Sequence, residues 1–200
     1  MSSKNTYISD SQLIAGLREG DREAYRILVE RYHVKVIRTC TGFVHSTADA
    51  EDIAQEVFIE VFKSVDRFRG ESELSTWLYR IAVNKSLNFL RKSARRRVFS
   101  FITGQPEEGR PLVPERAAGT ESNADEAMIR SEQAKALERA LASLPENQRT
   151  AFVLNKYEDL SYKEISVVMN ISMGSVESLI FRAKQNMQKK LYGFYRKNIE

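Results

Sequence analysis

Apolar residues recur at intervals of three and four along most of this chain, which is the spacing that collects them on one face of an α-helix. The clearest example begins near Glu51, with apolar positions at Ile53, Ala54, Val57, Phe58, Val61, Phe62 and Val65. Similar patterns precede and follow it, and they stop between residues 104 and 126. The pattern predicts an all-α fold made of two small helical domains.

The first half of the chain contains about four predicted helices. A short helix from Ser11 to Glu19 is followed by a second helix that Asp21 caps. The apolar stripe of this second helix consists of Ala24, Leu28, Tyr32, Val36 and Cys40. A third helix begins near Thr47, and a fourth follows the loop Arg69–Ser75, where we expect Ser75 to be the cap.

The third predicted helix has a polar face of unusual composition. Its members are Asp52, Gln55, Glu56, Glu60 and Lys63, with the apolar Ile59 among them. An apolar side chain surrounded by carboxylates is typical of a surface that docks another protein. A solvated acidic helix with one stray isoleucine explains the same pattern, so the residues alone leave both interpretations open.

The fourth predicted helix has a stripe of aromatic, basic and amide residues. In steps of three and four, they are Trp77, Arg80, Asn84, Asn88 and Arg91. Guanidinium groups bind phosphates, amides read base edges, and aromatic rings stack on unpaired bases. The basic run continues to Arg97, and no acid occurs between Ser75 and Gln105. The stripe indicates a nucleic-acid interface, and a solvated basic face with Trp77 in the core is the alternative.

Composition changes sharply at Gly104. From there to Glu126 the chain holds three of its four prolines, three of its nine glycines, and six acids against two bases. Such a segment has too few apolar residues to form a core and is typical of a flexible acidic linker. We therefore predict a helical domain over 1–97, a linker over 98–126 and a second helical domain over 127–200.

The second domain contains the signature of a helix-turn-helix motif. Ser161 and Glu164 are placed to form a capping box at the start of one helix. Asn170 lies where the turn needs a residue that tolerates left-handed backbone, and Ser172 caps the next helix. The residues spaced to pack the two helices together are Ile165, Ile171, Val176 and Leu179 or Ile180. The second helix is then the one that enters the major groove of DNA.

Net charge is only +4, with an isoelectric point near 9.1, so the distribution of charge is more informative than its sum. Residues 51–60 carry only acids, whereas residues 89–97 and 181–197 carry only bases. This segregation predicts one surface for a protein partner and separate surfaces for a polyanion.

The single cysteine, Cys40, excludes an internal disulfide and fits the reducing cytoplasm. The polar segment Met1–Asp10 lacks the apolar region of a signal peptide, and no apolar run approaches the roughly 20 residues that span a bilayer. The spacing of His33, Cys40 and His45 matches no zinc site. We expect a cytoplasmic protein without a metal, a cofactor or direct insertion into a membrane.

Three segments, Asp49–Phe58, Phe68–Gly70 and Thr76–Asn84, resemble region 2 of bacterial RNA polymerase sigma factors. The helix-turn-helix segment Leu160–Leu179 resembles region 4 of the same proteins, and the order of the regions and linker also agrees. The compact chain is similar to the extracytoplasmic-function (ECF) group. The resemblance implies an alternative sigma factor, which binds core polymerase, directs it to promoters and helps to melt DNA.

The resemblance also implies three groups of functional residues. Those for core polymerase are Asp49, Asp52, Gln55, Glu56, Ile59 and Lys63. Those for the -10 element are Arg69, Gly70, Glu71, Ser72, Trp77, Arg80, Asn84, Lys85, Asn88 and Arg91. Those for the -35 element are Ser172, Met173, Ser175, Glu177, Ser178, Arg182 and Lys184. In the family, the loop before the fourth helix captures a flipped base of the melted strand.

Two positions depart from the pattern of many relatives, which have a basic residue at Glu177 and an arginine at Leu179. A glutamate can accept a hydrogen bond from cytosine, but fewer cations weaken the contact with phosphates. The promoter sequence therefore stays open. The implied partners are core RNA polymerase, promoter DNA and an anti-sigma protein.

Two other classes of protein are alternatives. A helix-turn-helix repressor or activator would bind duplex DNA without polymerase, but it does not need a separate stripe on the fourth helix. A recombinase would need a nucleophile among arginines, or a carboxylate metal site. Asp49, Asp52 and Glu56 lie on a helix without a partner strand, glycine-rich loop or histidine, which disfavours an enzyme.

Overall fold

The computed structural model describes residues 8–103 and 124–199; in the second range, side chains are described for residues 131–194 and Arg196. Within these ranges the α-helices are α1 (Asp10–Arg18), α2 (Arg22–Val44), α3 (Thr47–Ser64), α4 (Leu74–Thr103), α5 (Ala124–Ala142), α6 (Glu146–Tyr157), α7 (Tyr162–Met169) and α8 (Met173–Ile199). A 3-10 turn, Val65–Arg67, follows α3. The predicted all-α fold is confirmed.

Helix α4 continues to Thr103 and α5 begins at Ala124, so both extend into the range 98–126 predicted as linker. The rest of that range lies outside the described residues. The domain boundaries stay a prediction.

Local chemistry sets most of the helix starts. The Asp21 carboxylate accepts from the Glu23 amide at 2.9 Å, which confirms the predicted cap of α2. The predicted cap at Ser75 is wrong, because α4 begins one residue earlier, at Leu74. The Glu73 carbonyl accepts from the Trp77 amide, and the Ser75 hydroxyl donates to the Glu73 carboxylate at 3.2 Å.

The N-terminal unit, α1 to α4, is built around α2. Its predicted apolar stripe is buried along its whole length, from Ala24 at 5% exposure to Cys40 at 0%. Residues of α1, α3 and α4 complete this core, among them Leu13, Val57 and Leu78. Phe62 was expected on the buried face of α3 but is 43% exposed, and its ring lies edge-on to Tyr25 at 5.8 Å.

The C-terminal unit, α5 to α8, has two patches of core. Ala140, Leu141 and Leu144 pack against Ala183 and Met187 of α8. The other patch joins α6, α7 and the start of α8, and its residues belong to the same buried cluster as the core of the N-terminal unit.

The two units share this core because α2 packs against α6 and α4 packs against α7. We call this contact the seam, and its central pair is Gly42 on α2 and Val153 on α6. A Cβ at Gly42 would lie only 2.6 Å from Val153 Cγ1, so the missing side chain lets the two helices approach. The sequence predicted two domains and a linker but did not predict the seam.

Candidate polymerase and nucleic-acid interfaces

Helix α3 presents an exposed face that consists of Asp52, Gln55, Glu56, Ile59 and Lys63, which we call the α3 face. Ile59 is 49% exposed, and Phe62 extends the apolar area beside it. Asp49, assigned to the same group, is half-buried in the first turn of α3, where a carboxylate is favourable near the positive end of the helix dipole. The α3 face is therefore a mixed acidic and apolar surface open to solvent.

Lys85 of α4 reaches towards α3 instead of joining the other basic residues. Its Nζ lies 3.1 Å from a Glu60 carboxylate oxygen and 3.8 Å from one of Glu56. The side chain of Lys85 is 28% exposed. Lys85 was assigned to the -10 element, but in the structure its side chain forms ion pairs with acids of α3.

The loop between the 3-10 turn and α4 is anchored at its start and open at its tip. Arg18 Nη2 donates to the Phe68 carbonyl at 2.7 Å, and the Phe68 and Trp77 rings lie 5.0 Å apart. Gly70 has φ 72°, a left-handed conformation that other residues adopt at a cost. The ion pair between Arg69 and Glu71, at 3.9 Å, is well exposed and adds little stability. The loop therefore holds exposed polar groups beside α4.

We call Trp77, Arg80, Asn84, Asn88 and Arg91 the α4 stripe. Trp77 is half-buried against the core of the N-terminal unit, so it belongs partly to the core and partly to the stripe. The four polar members are exposed along one face of the helix. The structure thus brings together the amides and guanidinium groups that the sequence placed on one face.

Part of the α4 stripe lies against the C-terminal unit. Arg80 Nη2 donates to the Val167 carbonyl at 2.5 Å, and Arg80 Nε donates to the Val168 carbonyl at 3.2 Å. Arg91 forms a two-point contact with the Glu146 carboxylate, at 2.5 and 3.2 Å. Asn84 lines the cleft between these two contacts. Both guanidinium groups are thus occupied by oxygens of the same chain.

The seam also buries ionisable groups. The Glu158 side chain is 2% exposed, with Arg38 Nε 3.4 Å from one oxygen and the Tyr79 hydroxyl donating to the other at 3.1 Å. Burial raises the pKa of Glu158, and burial together with the carboxylate raises the pKa of Tyr79. Burial, and then the charge of Arg149, lowers the pKa of His45 to about 4. Electrostatics of the seam therefore depend on groups from both units.

The helix-turn-helix has the predicted local geometry. Ser161 and Glu164 form the capping box, and Asn170 has φ 54° in the left-handed region. The Ser172 hydroxyl accepts from the Ser175 amide at 3.2 Å and so caps α8. The two helices are bent by 101° relative to each other, within the range usual for this motif. Ile165, Val176 and Ile180 are buried between them.

The N-terminal part of α8 is exposed on the side away from this packing. The predicted contacts Ser172, Met173, Ser175, Glu177, Ser178, Arg182 and Lys184 are all exposed. Phe181, at 60% exposure, lies among them and was not assigned a role from the sequence. The surface combines small hydroxyl groups, one acid and basic residues that continue along α8.

Sequence reasoning missed the residues of the seam. No sequence pattern marked these residues, because Glu158 lies 79 residues from Tyr79 and 120 residues from Arg38. Gly42 was the one available signal, since a glycine inside a predicted helix often marks a close approach.

Within the described residues, no single helix has both the length and the apolar content needed to cross a membrane.

Comparisons with known proteins match both units of the chain. The model of sigma-70 region 2 matches residues 28–96, and the model of sigma-70 region 4 matches residues 134–187. The first match contains the α3 face and the α4 stripe, and the second contains the helix-turn-helix.

Two relatives extend the similarity over nearly the whole chain. The RNA polymerase sigma-H factor of Pseudomonas aeruginosa is 37% identical over 186 residues, covering 93% of this chain and 95% of that protein. The ECF RNA polymerase sigma-E factor of Escherichia coli (strain K12) is 35% identical over 190 residues, covering 95% and 98%.

Two solved structures have the same fold. CnrH in complex with the cytosolic domain of CnrY matches with a TM-score of 0.65 and 23% identity, covering 92% of this chain and 97% of that chain. The sigma factor RpoE of Bartonella quintana, in complex with the anti-sigma factor NepR, matches with a TM-score of 0.60 and 20% identity, covering 84% and 96%. With the family matches and the relatives, the conclusion is that this chain belongs to the sigma-70 family of RNA polymerase sigma factors, in the ECF group.

Proposed function

We propose that this alternative sigma factor binds core RNA polymerase through the α3 face, reads the melted -10 element with the α4 stripe and the loop Arg69–Ser72, and reads the -35 element with α8. The observation that carries the proposal is the α4 stripe, where amides and guanidinium groups follow one face of a helix beside a loop that carries exposed polar groups. Its role is binding and positioning, with no covalent chemistry of its own, and it acts in the cytoplasm, where polymerase works.

The α3 face suits a protein partner because it combines an exposed isoleucine with acids that can pair with cations. We expect the double variant Gln55→Ala, Glu56→Ala to weaken binding to core polymerase and to change the free energy of unfolding by only about 0.5 kcal/mol. The measurement is a pull-down with core polymerase, paired with urea unfolding. The matched control is Glu132→Ala, Gln133→Ala, which removes the same two groups from an exposed part of α5. Equal polymerase binding by the two double variants would contradict the proposal.

The α4 stripe suits single-stranded DNA because its amides can reach the edges of an extruded base. We expect Asn84→Ala to reduce promoter opening by about 1–3 kcal/mol, the usual contribution of an amide that reads a base. Permanganate reactivity of promoter thymines measures opening, and a gel shift measures the closed complex, on a promoter recovered by run-off transcription from a genomic library. Gln133→Ala is the control for loss of an exposed amide. Equal loss in both steps, or no loss in opening, would place the base-reading site elsewhere.

An anti-sigma protein is the third proposed partner, beside core polymerase and promoter DNA. One structural neighbour is a sigma factor held by an anti-sigma protein, and this chain has exposed apolar groups on both units, such as Ile59 and Phe181. Co-purification of the chain from its native cell, with and without crosslinking, tests for such a partner.

A further inference from the structure

The end of α4 carries an exposed apolar cluster that the proposed function does not use. Its members are 59% to 90% exposed, and they are Val98, Phe99, Phe101 and Ile102. We call these four residues the α4 tip. The match to sigma-70 region 2 ends at residue 96, so the tip lies outside the matched segment. Its apolar side chains therefore need an explanation of their own.

The tip has an amphipathic pattern. Apolar residues occupy positions 98, 99, 101 and 102, and polar residues occupy 96, 97, 100 and 103. At about 3.6 residues per turn, this order places the four apolar side chains within about half of the helix circumference. The Ser100 and Thr103 hydroxyl groups donate to carbonyl oxygens of α4 itself, at 3.3 and 2.9 Å. These polar side chains therefore have hydrogen bonds that do not depend on water.

A basic segment precedes the tip on the same helix and consists of Lys92, Arg95, Arg96 and Arg97. All four side chains are exposed. No acid occurs between Ser75 and Gln105, so no carboxylate on α4 offsets their charge. A surface that covers the tip must therefore be apolar where it meets the end of the helix and negatively charged beside it.

The shape of the tip narrows the choice further. Residues 94–99 and 101–103 are exposed, so the helix end is convex and offers no groove to a folded protein partner. A second copy of this chain, packed tip against tip, would bring two basic segments together, and like charges repel. DNA suits the basic segment, but the aliphatic Val98 and Ile102 have no ring to stack on its bases.

A bilayer with anionic lipids has both required features over its whole surface. Amphipathic helices of this type bury their apolar side chains by about 5–10 Å, at the boundary between headgroups and acyl chains. The four positions from Val98 to Ile102 extend about 6 Å along the helix axis, which matches that depth. The preceding bases then lie at the level of the lipid phosphates.

We propose that the α4 tip is a reversible binding site for a bilayer surface that contains anionic lipids. The apolar side chains enter the headgroup boundary, and the basic segment binds the phosphates. The chain then lies on the surface and does not span the bilayer. The tip shares no residue with the α3 face or the α4 stripe, so this role is independent of theirs.

Flotation of the full-length chain with lipid vesicles tests the proposal. Vesicles of phosphatidylcholine with about one third phosphatidylglycerol are compared with pure phosphatidylcholine, and low salt is compared with high salt. Each base near an anionic surface strengthens binding by about fivefold, and salt screens this attraction. We therefore expect binding to the anionic vesicles that is at least about fivefold weaker on neutral vesicles and in high salt.

The first variant removes apolar area from the tip. Phe101→Ser combined with Ile102→Ser is expected to weaken binding to anionic vesicles at least about tenfold. The matched control is Tyr192→Ser combined with Val34→Ser, which removes one aromatic and one aliphatic side chain, 69% and 67% exposed, from other helices. Urea unfolding checks that both double variants are folded.

The second variant removes charge beside the tip. Arg96→Gln combined with Arg97→Gln is expected to weaken binding to anionic vesicles at least about fivefold and to leave the weak binding to neutral vesicles unchanged. Lys189→Gln combined with Lys190→Gln is the control, because it removes two adjacent exposed bases from α8.

Phe101→Trp reports how deeply the tip enters the bilayer. Lipids with brominated acyl chains quench a tryptophan only when it reaches the apolar layer. The parent has a single tryptophan, Trp77, about 36 Å away along α4, and it is expected to stay unquenched. Fluorescence of Phe101→Trp is expected to fall on brominated anionic vesicles.

Vesicle binding that falls in both double variants, with quenching in Phe101→Trp, supports the proposal. Absence of binding to anionic vesicles, or equal binding by Phe101→Ser, Ile102→Ser and its control, would overturn it. Unquenched fluorescence in Phe101→Trp would also overturn it, because the contact would then depend on charge alone.

Two further measurements identify another occupant. If the serine variant of the tip loses affinity for a fluorescein-labelled single-stranded 20-mer but keeps vesicle binding, the tip contacts nucleic acid and the proposal is wrong. If sedimentation shows self-association that this variant abolishes, and vesicles do not bind, the tip contacts a second copy of the chain and the proposal is again wrong.

Discussion

At the scale of single residues, the seam contains ionisable side chains that are too buried for water to solvate their charged forms fully. His45 ends α2 in a left-handed conformation, with φ 57°, and its Nε2 has no hydrogen-bond partner among the described residues. Burial and the nearby Arg149 both penalise the imidazolium form, which lowers the pKa of His45 from 6.5 to about 4. A proton on His45 is therefore taken up more readily by the unfolded chain than by the folded one.

This difference predicts a loss of stability in mild acid. The unfolded imidazole binds its proton near pH 6.5 and the folded one near pH 4, so the free energy of unfolding falls as pH decreases through this window. At pH 5 the loss from this group is about 2 kcal/mol, at 1.36 kcal/mol per unit. His45→Asn, which tolerates the left-handed backbone and has no titrating proton, is expected to remove this loss.

Urea unfolding at pH 7.5 and pH 5 measures the effect. The control is His33→Asn, because His33 is the other histidine of the chain and is exposed. Glu158, whose pKa is raised by burial, opposes the trend, but it is present in every variant and cancels in the comparison. If the parent and His45→Asn show parallel pH profiles, the histidine is not in the environment described.

At the scale of elements, the helix-turn-helix depends on hydrogen bonds and backbone conformations of residues that are close together in the sequence. The capping box starts α7, Asn170 turns the chain, and Ser172 starts α8, with Ile165 and Val176 buried between the two helices. The orientation of α8, and with it the surface that would meet DNA, follows from this turn.

Asn170 gives a prediction at this scale. Its left-handed conformation is unfavourable for most residues, tolerated by asparagine and free of strain for glycine. We expect Asn170→Ala to lower the free energy of unfolding by about 1 kcal/mol, and Asn170→Gly to change it by less than half of that. Urea unfolding of the full-length chain compares the two. Equal effects of the two substitutions would mean that the left-handed backbone conformation is not what makes asparagine favourable at position 170.

At the scale of the whole molecule, long-range polar contacts hold the two units together. Tyr79 of α4 and Glu158 after α6 are 79 residues apart, and their hydrogen bond at 3.1 Å lies in a part of the seam that excludes water. A buried carboxylate that loses a donor keeps the cost of its desolvation.

Tyr79→Phe is therefore expected to lower the free energy of unfolding by about 1–3 kcal/mol, since the ring remains and only the donor is lost. Urea unfolding of the full-length chain measures the change. Tyr192→Phe, at a tyrosine that is 69% exposed, is the control. A free energy of unfolding that Tyr79→Phe leaves at the parental value would show that Glu158 is satisfied without this hydrogen bond.

Sequence reasoning predicted the helices, the caps at Asp21, Ser161 and Ser172, and the helix-turn-helix, and the family resemblance was confirmed by the comparisons. It also placed Arg80, Asn84, Asn88 and Arg91 on one face of α4, where they lie. Their roles in binding stay predictions. Ser75 as a cap was wrong because α4 begins one residue earlier, at Leu74. Phe62 as a core residue was wrong because it is 43% exposed and packs edge-on against Tyr25.

What the sequence determined by itself is the part of the structure that depends on neighbours within a turn or two. Caps, turns and amphipathic faces are of this kind, since the residues involved are three or four positions apart and can be recognised directly from their spacing in the sequence. Tertiary structure alone decided that Gly42 meets Val153, that Arg80 donates to a carbonyl 87 residues away, and that Glu158 is buried. Such contacts depend on how whole helices approach each other, and that approach is set by the summed packing of many residues, none of which specifies its partner in the sequence.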